Sequence, residues 1–236
     1  MQVIKTIKTL GSNFLDLVFP VYCIVCGKDG VFLCAECTPK LVRLNQQKCI
    51  RCENPSPFGK THPDCASRNV VDGCLSALDY KDRNNKNLIR VYKYKFISDL
   101  NENLAAFMTE EIKSQNLANY LAGFTVMPVP LHKRRFHWRG FNQSELLAKK
   151  IAEKLGLNFE SDLVIRSKNT KPQVDLKAEE RKKNIENAFA LSKALENKNY
   201  LLVDDVVTTG STLNEIAKLL KKEGANQVWA ITLARG

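Results

Sequence analysis

Tyr200-Leu201-Leu202-Val203-Asp204-Asp205-Val206-Val207-Thr208-Thr209-Gly210-Ser211-Thr212 reads as an apolar strand ending in two carboxylates, followed by a hydroxyl-rich turn that opens a helix. A strand–turn–helix of this kind is an anion site. The turn's N–H groups and the positive end of the helix dipole face one point, and glycine lets the backbone approach closely. Thr208, Thr209, Ser211 and Thr212 add hydroxyl donors. No lysine follows as a Walker loop requires, which points to a phosphate monoester and away from a nucleoside triphosphate. Asp204 and Asp205 suit a second task, accepting hydrogen bonds from a vicinal diol such as that of ribose. Phosphate and ribose hydroxyls in one small site describe a ribose 5-phosphate. The plainer alternative is a surface acid pair beside an ordinary Ser/Thr helix cap.

The stretch resembles the phosphoribosyl pyrophosphate (PRPP) motif of the type I phosphoribosyltransferases. That resemblance implies that residues 204–212 bind PRPP, with Asp204 and Asp205 holding the ribose hydroxyls, Val206 and Val207 belonging to the binding stretch, and Thr208, Thr209, Gly210, Ser211 and Thr212 taking the 5-phosphate.

Working outward, the chain from Leu75 onward alternates strands with helices. A strand ends at Asp79-Tyr80 and precedes a helical stretch through Leu88, Ile89, Val91 and Tyr92. A helix is expected from Leu100 to Asn116, a short buried strand over Gly123–Pro130, a helix from Asn142 to Leu155, and a last strand over Gln227–Leu233. Such alternation predicts an α/β fold, a mostly parallel sheet flanked by helices with ligands at the carboxyl ends of the strands. The phosphate turn falls at such an end.

Just after the 123–130 strand comes a dense patch holding Lys133, Arg134, Arg135 and Arg139 with His132, His137, Phe136, Trp138 and Phe141. As a cationic loop it could close over a pyrophosphate and neutralise charge on a leaving group. It could equally bind nucleic acid through phosphate contacts and stacking, or be a solvated basic loop.

All eight cysteines lie between Cys23 and Cys74. Cys23, Cys26, Cys34 and Cys37 form two Cys-x2-Cys knuckles separated by seven residues, the pattern of a four-thiolate zinc site. Disulfides compete as an explanation, but nothing marks the chain as secreted. In the second set, Cys49-x2-Cys52 is a clear knuckle, and His62-x2-Cys65 keeps the same gap nine residues on. Cys74 is the alternative fourth ligand, but it opens a strand and suits a small buried hydrophobe. The expected second site is therefore Cys49, Cys52, His62 and Cys65. Four ligands per site leave no open position, so both zinc ions are expected to be structural. Such ribbons have little core of their own and fold on their metal. Lys28, Lys40, Arg43, Lys48, Arg51, Lys60 and Arg68 surround them, either as a nucleic-acid surface or as a solvated rim.

A chain of 236 residues is long enough for one large or two modest domains. Its net charge of +11 favours polyanionic partners, whether PRPP, nucleic acid or anionic lipid, and is silent about fold. No stretch reaches the roughly 20 apolar residues of a membrane span, and no signal-peptide pattern is present, so a cytoplasmic protein is expected. Val3, Ile4, Ile7, Leu10, Phe14, Leu15 and Val18 recur at helical spacing, predicting an amphipathic helix over residues 1–20 that packs on the protein or lies on a membrane surface.

The ordered set of motifs resembles the ComF family, ComFC-like proteins linked to DNA uptake in competent bacteria. The resemblance is carried by the cysteine knuckles, Val129-Pro130-Leu131-His132, Arg139-Gly140-Phe141-Asn142-Gln143, the segment Thr170-Lys171-Pro172-Gln173 with Arg181, Asn184 and Ala188-Phe189, and the PRPP motif. It implies a type I phosphoribosyltransferase-like domain over 73–236 behind a double zinc ribbon over 21–72. It also implies a PRPP or ribose 5-phosphate ligand accompanied by Mg2+, with single-stranded DNA and DNA-uptake proteins as partners. Lys93-Tyr94-Lys95 matches the family's pyrophosphate-side loop, although Phe96 stands where family members often have glycine. Arg134, Arg135 and Arg139 are the expected diphosphate-side residues. Two functions follow: transfer of ribose 5-phosphate from PRPP to an acceptor, and a DNA-handling module whose PRPP site senses a ligand.

Overall fold

The computed structural model describes residues 21–94, 98–168 and 185–236. In chain order its elements are β1 (Gly73–Asp79), α1 (Arg83–Tyr94), α2 (Ser98–Ser114), β2 (Thr125–Pro128), α3 (Lys133–Arg139), α4 (Gln143–Leu155), β3 (Asn158–Phe159), β4 (Val164–Arg166), β5 (Phe189–Leu191), β6 (Asn199–Val207), α5 (Ser211–Lys222) and β7 (Gln227–Arg235). Five strands pair in parallel in the order β1-β7-β6-β2-β3, and β4 and β5 form a separate antiparallel pair.

Parallel strands buried on both faces should read as apolar runs, and β6 and β7 do. Their alternation divides the core in two. Leu201, Val203, Trp229, Ile231 and Leu233 pack in one cluster with Leu104, Met108, Leu147 and Ile151 of α2 and α4. Tyr200, Leu202, Val228 and Ala230 pack in the other with Leu213, Ile216 and Leu220 of α5.

The cysteine-rich segment is built into this core. Leu33 and Leu41 join the first cluster, whereas Ile50, Val70, Val71 and Cys74 join the second. It also covers the outer edge of β1, which would otherwise offer unpaired backbone groups to another chain. Leu44 N–H donates to the Ala77 carbonyl, Asp79 N–H donates to Val42, and the Gln47 amide makes a two-way pair with the backbone of Ser76 at 2.8 and 3.0 Å.

Several expectations are corrected. The strand does not end at the two acids: β6 runs on through Val207, with Asp204 opposite Thr232 and Val207 opposite Arg235, because the β-branched Val206 and Val207 extend the ladder. The 133–139 patch is not a loop but the short helix α3, started by the His132 ring accepting from Arg134 N–H and ended by Gly140. The helix expected to reach Asn116 stops at Ser114, and Asn116 turns the chain at φ 56°. The amphipathic helix over 1–20, Lys95 and Phe96, and the segment holding 170–173, Arg181 and Asn184 lie outside the described residues.

Candidate functional site

At the C-terminal ends of β6 and β2 the molecule opens into a cavity of about 520 Å³. A smaller polar pocket of about 40 Å³ continues from it and is lined by Asp204 and residues 206–213. This recess lies at the turn that the sequence reading expects to bind phosphate. Gly210 caps α5 at φ 71°, and a Cβ there would stand 2.5 Å from Ile50 Cγ1, so glycine is required both by conformation and by the approach of the cysteine-rich segment. The Thr209 and Ser211 hydroxyls lie 2.7 Å apart across the turn.

The two acids differ in surroundings. Asp204 Oδ1 accepts from the Ser144 hydroxyl at 2.9 Å and from Asp205 N–H at 2.9 Å. Burial, and then the charge of Asp205, push its carboxyl up to about 7. Asp205 is 5% exposed and has both oxygens engaged, Oδ1 by Lys93 at 3.1 Å and Oδ2 by the Gln143 amide at 2.8 Å. Burial works against the charge on Lys93, but Asp205 outweighs it and raises the ammonium above its ordinary value.

Lys93 and Tyr94 end α1 and line the cavity. From α3, Arg135 and Arg139, four apart and therefore on one face, also line it, whereas Arg134 is exposed and does not. Arg139 donates to Gln143 Oε1 at 2.6 Å, and its guanidinium lies 5.4 Å from the Tyr94 ring centroid. Tyr94 in turn meets Trp138 edge-on at 5.8 Å. Trp138 is 74% exposed at the cavity mouth.

The structure thus brings together Asp204, Asp205, Val206, Thr208 and Thr212 with Lys93, Tyr94, Arg135 and Arg139 around one cavity, and Val207, Thr209, Gly210 and Ser211 around the recess beneath it. Three participants escaped the sequence reading. Ser144 and Gln143, at the start of α4, hold the acids; the spacing behind Asn142 marks a helix start but not which carboxylates it meets. Arg166 lines the cavity from β4, and burial followed by the charge of Arg135 lowers it to about 10. It sits in a short strand that no motif flags.

Both cysteine sets converge. The ligand atoms of Cys23, Cys26, Cys34 and Cys37 lie within 4.8 Å of one another, and so do those of Cys49, Cys52, His62 and Cys65. The Cys26 and Cys34 sulfurs are 3.7 Å apart, close to the ~3.8 Å edge of a tetrahedron with ~2.3 Å zinc–sulfur bonds. Cys52 Sγ to His62 Nδ1 is 3.3 Å, near the ~3.6 Å that mixed sulfur and nitrogen ligands require. Burial opposes ionisation of Cys23, yet backbone N–H groups of Cys34, Cys26 and Val25 outweigh it and hold the thiol at about 6. Cys49 is held at about 6 in the same way by the N–H groups of Cys52, His62 and Arg51. The donor sets fit structural zinc. Cys74 stands apart in the core, 0% exposed, with burial pushing its thiol up to about 12.

Comparison with known proteins finds relatives of both parts of the chain. Residues 142–236 match the phosphoribosyl transferase domain family and residues 14–66 match the double zinc ribbon domain family. The chain is 39% identical over 148 residues to the DNA utilization protein YhgH of Salmonella typhi, an alignment covering 61% of this chain and 65% of that protein. It is 42% identical over 113 residues to competence protein F of Haemophilus influenzae, covering 47% of this chain and 49% of that one. The chain therefore spans less than two thirds of the length of these relatives. Competence protein ComFC of Streptococcus pneumoniae aligns over 99% of this chain and 97% of its own at 26% identity. A solved hypoxanthine phosphoribosyltransferase from Staphylococcus aureus superposes with a TM-score of 0.38 at 17% identity, over 57% of this chain and 64% of that one. Among the described residues, no helix is long and apolar enough to cross a membrane. The chain thus carries a match to a double zinc ribbon ahead of a match to a phosphoribosyl transferase domain, and one of the proteins it is similar to, named competence protein ComFC, aligns along nearly its whole length.

Proposed function

We propose that the cavity binds PRPP. The observation that carries this reading is the 40 Å³ polar recess at the start of α5, opening directly beside Asp204 into a larger cavity lined by Lys93, Arg135, Arg139 and Arg166. The recess takes the 5-phosphate on turn N–H groups and hydroxyls. Asp204 and Asp205 receive the ribose hydroxyls, and the cations meet the diphosphate. Among the described residues, Asp204 and Asp205 are the carboxylates lining the cavity, and both oxygens of Asp205 are engaged, so these residues form no all-protein magnesium cage. Mg2+, when bound, would be held mainly by diphosphate oxygens and waters beside Asp204 and would supply further neutralisation of the diphosphate charge.

The chemistry that fits is release of pyrophosphate from C1 of the sugar. Positioning, and neutralisation of the departing charge by Arg135, Arg139 and Lys93, do most of the work. Calorimetric titration with PRPP and Mg2+ tests the binding, with Asp204→Asn/Asp205→Asn as control. Equal affinity of the double variant and the parent would refute it. Pyrophosphate release with a panel of nitrogenous acceptors then tests whether bound PRPP reacts.

A second reading is supported by the exposed Trp138 and Tyr94 beside the cationic face of α3. It holds that this rim contacts single-stranded DNA, consistent with the DNA-utilization and competence names of the relatives. Such binding should weaken steeply with salt and lose base stacking in Trp138→Ala, and salt-independent binding would exclude it.

A further inference from the structure

We propose that the second ribbon is a positioning element for the phosphate turn, so that metal at Cys49, Cys52, His62 and Cys65 and a ligand in the turn strengthen each other. The ligand half of this rests on the phosphate reading of the turn.

Ile50 sits in the tip of the Cys49–Cys52 knuckle, is 3% exposed, and forms the wall against Gly210. The same knuckle is tied to the sheet by Arg235, whose guanidinium donates to the carbonyls of Lys48 and Cys49 at 3.0 and 3.2 Å. Arg235 stands opposite Val207, the last residue of β6 before the turn. Beyond the last ligand, the chain holds the helix that follows the turn. Val71 N–H donates to Asn214 Oδ1 at 3.2 Å, and Lys221 bridges the Val70 carbonyl and Asp72, both at 2.8 Å. The ribbon therefore grips the turn at its entry, its glycine and its exit helix. The first ribbon does not share this arrangement, since its Leu33 and Leu41 pack in the other cluster with Leu78, Leu88 and Ile89.

A ribbon of this size owes its order to its metal. Without metal, Ile50 and the two carbonyls lose their fixed places, and the turn must be ordered by its ligand at the ligand's expense in affinity. Linkage requires the reverse effect to be equal, so a ligand in the turn must tighten metal at the second cluster. Ile50 acts here through the turn, as a positioning residue.

The test uses the full chain and ribose 5-phosphate as probe. Cys52→Ser weakens the second cluster, Ile50→Val trims the wall without touching a ligand, and Cys26→Ser is the first-ribbon control. Amide exchange at residues 208–212 is measured without ligand, affinity by calorimetry, and zinc loss to a chromophoric chelator with and without the probe. Cys52→Ser should speed exchange at 208–212 and weaken the probe about fivefold or more, a typical coupling between sites. Ile50→Val should do both to a smaller degree, and Cys26→Ser neither. The probe should slow the release of one zinc of the two. Unchanged exchange at 208–212 in both Cys52→Ser and Ile50→Val, or an equal response in Cys26→Ser, overturns the proposal. Should Cys52→Ser unfold, Ile50→Val decides. If the parent binds no ribose 5-phosphate while exchange still responds to Ile50→Val, the phosphate reading fails and the positioning role stands.

Discussion

Substituting Gly210 by alanine should destabilise the protein through two separable costs. Gly210 has φ 71°, and an L-residue in this left-handed region costs about 1–2 kcal/mol. The new Cβ would stand 2.5 and 2.7 Å from Ile50 Cγ1 and Cδ1, about 1 Å inside normal carbon contact, and such overpacking costs about 1–3 kcal/mol. The sum is about 2–5 kcal/mol. In an Ile50→Ala background the second cost should vanish, leaving about 1–2 kcal/mol for the same glycine change. The difference is the coupling energy of the ribbon with the turn. Urea unfolding of the four proteins of the cycle, with zinc in constant excess and far-UV circular dichroism as the signal, measures it. A Gly210→Ala cost under about 0.5 kcal/mol, or the same cost with and without Ile50, would refute the packing of the knuckle on the turn after β6.

Arg135→Ala and Arg139→Ala should each weaken PRPP binding by about 1.5–3 kcal/mol, the worth of a charge-assisted hydrogen bond, whereas Arg134→Ala should leave it within error in the same titration. Because Asp204 sits at about 7 and the diol needs an acceptor, affinity should rise with pH from about 6 to 8 and then level off. The ligand's own phosphate titrates near ~6, so the part of the rise that disappears in Asp204→Asn isolates the carboxylate. In the ligand-free protein the same group opposes folding. Its proton is held in the fold up to about 7 but lost from the unfolded chain near ~3.9, so stability falls as pH rises between those values, and Asp204→Asn should be more stable than the parent at pH 8. Atomic absorption should find about two zinc per chain, about one in His62→Ala and still about two in Cys74→Ala.

The strand–turn–helix and both cysteine sets were legible because each packs its chemistry into a dozen or so consecutive residues. One stretch of chain, Asp204 with residues 206–213, supplies the lining of the recess, and a Cys-x2-Cys turn presents two sulfurs whatever lies around it. The choice of His62 over Cys74 was legible for the same reason, since a two-residue gap makes a knuckle and a strand start makes a core residue. What stayed hidden depends on tertiary approach. Nothing around Ser144 says that its hydroxyl faces Asp204, 60 residues away. Arg134, Arg135 and Arg139 look equivalent in a row of cations; only the turn of α3 sends two toward the cavity and one to solvent. An apolar run that gives way to two acids reads as a strand end, yet the ladder with β7 carries the acids along. The grip of the second ribbon on Gly210 joins residues 50 and 210, and no periodicity within either segment reports it.

The seam between β1 and β7 has a consequence for how the chain is made. The Ser76 and Thr232 hydroxyls share a buried hydrogen bond at 2.7 Å although they lie 156 residues apart. At about 5–20 residues per second, translation takes roughly 8–30 s to cover that separation. Throughout that interval β1 has no sheet partner, while both ribbons are already complete. Among the described residues, metal uptake is therefore open before any strand of the sheet can pair, with segment 42–47 laid along β1 before another strand reaches it. Zinc scarcity would then act on the nascent protein, and the loss would show as aggregation of an uncovered strand rather than as a failed reaction.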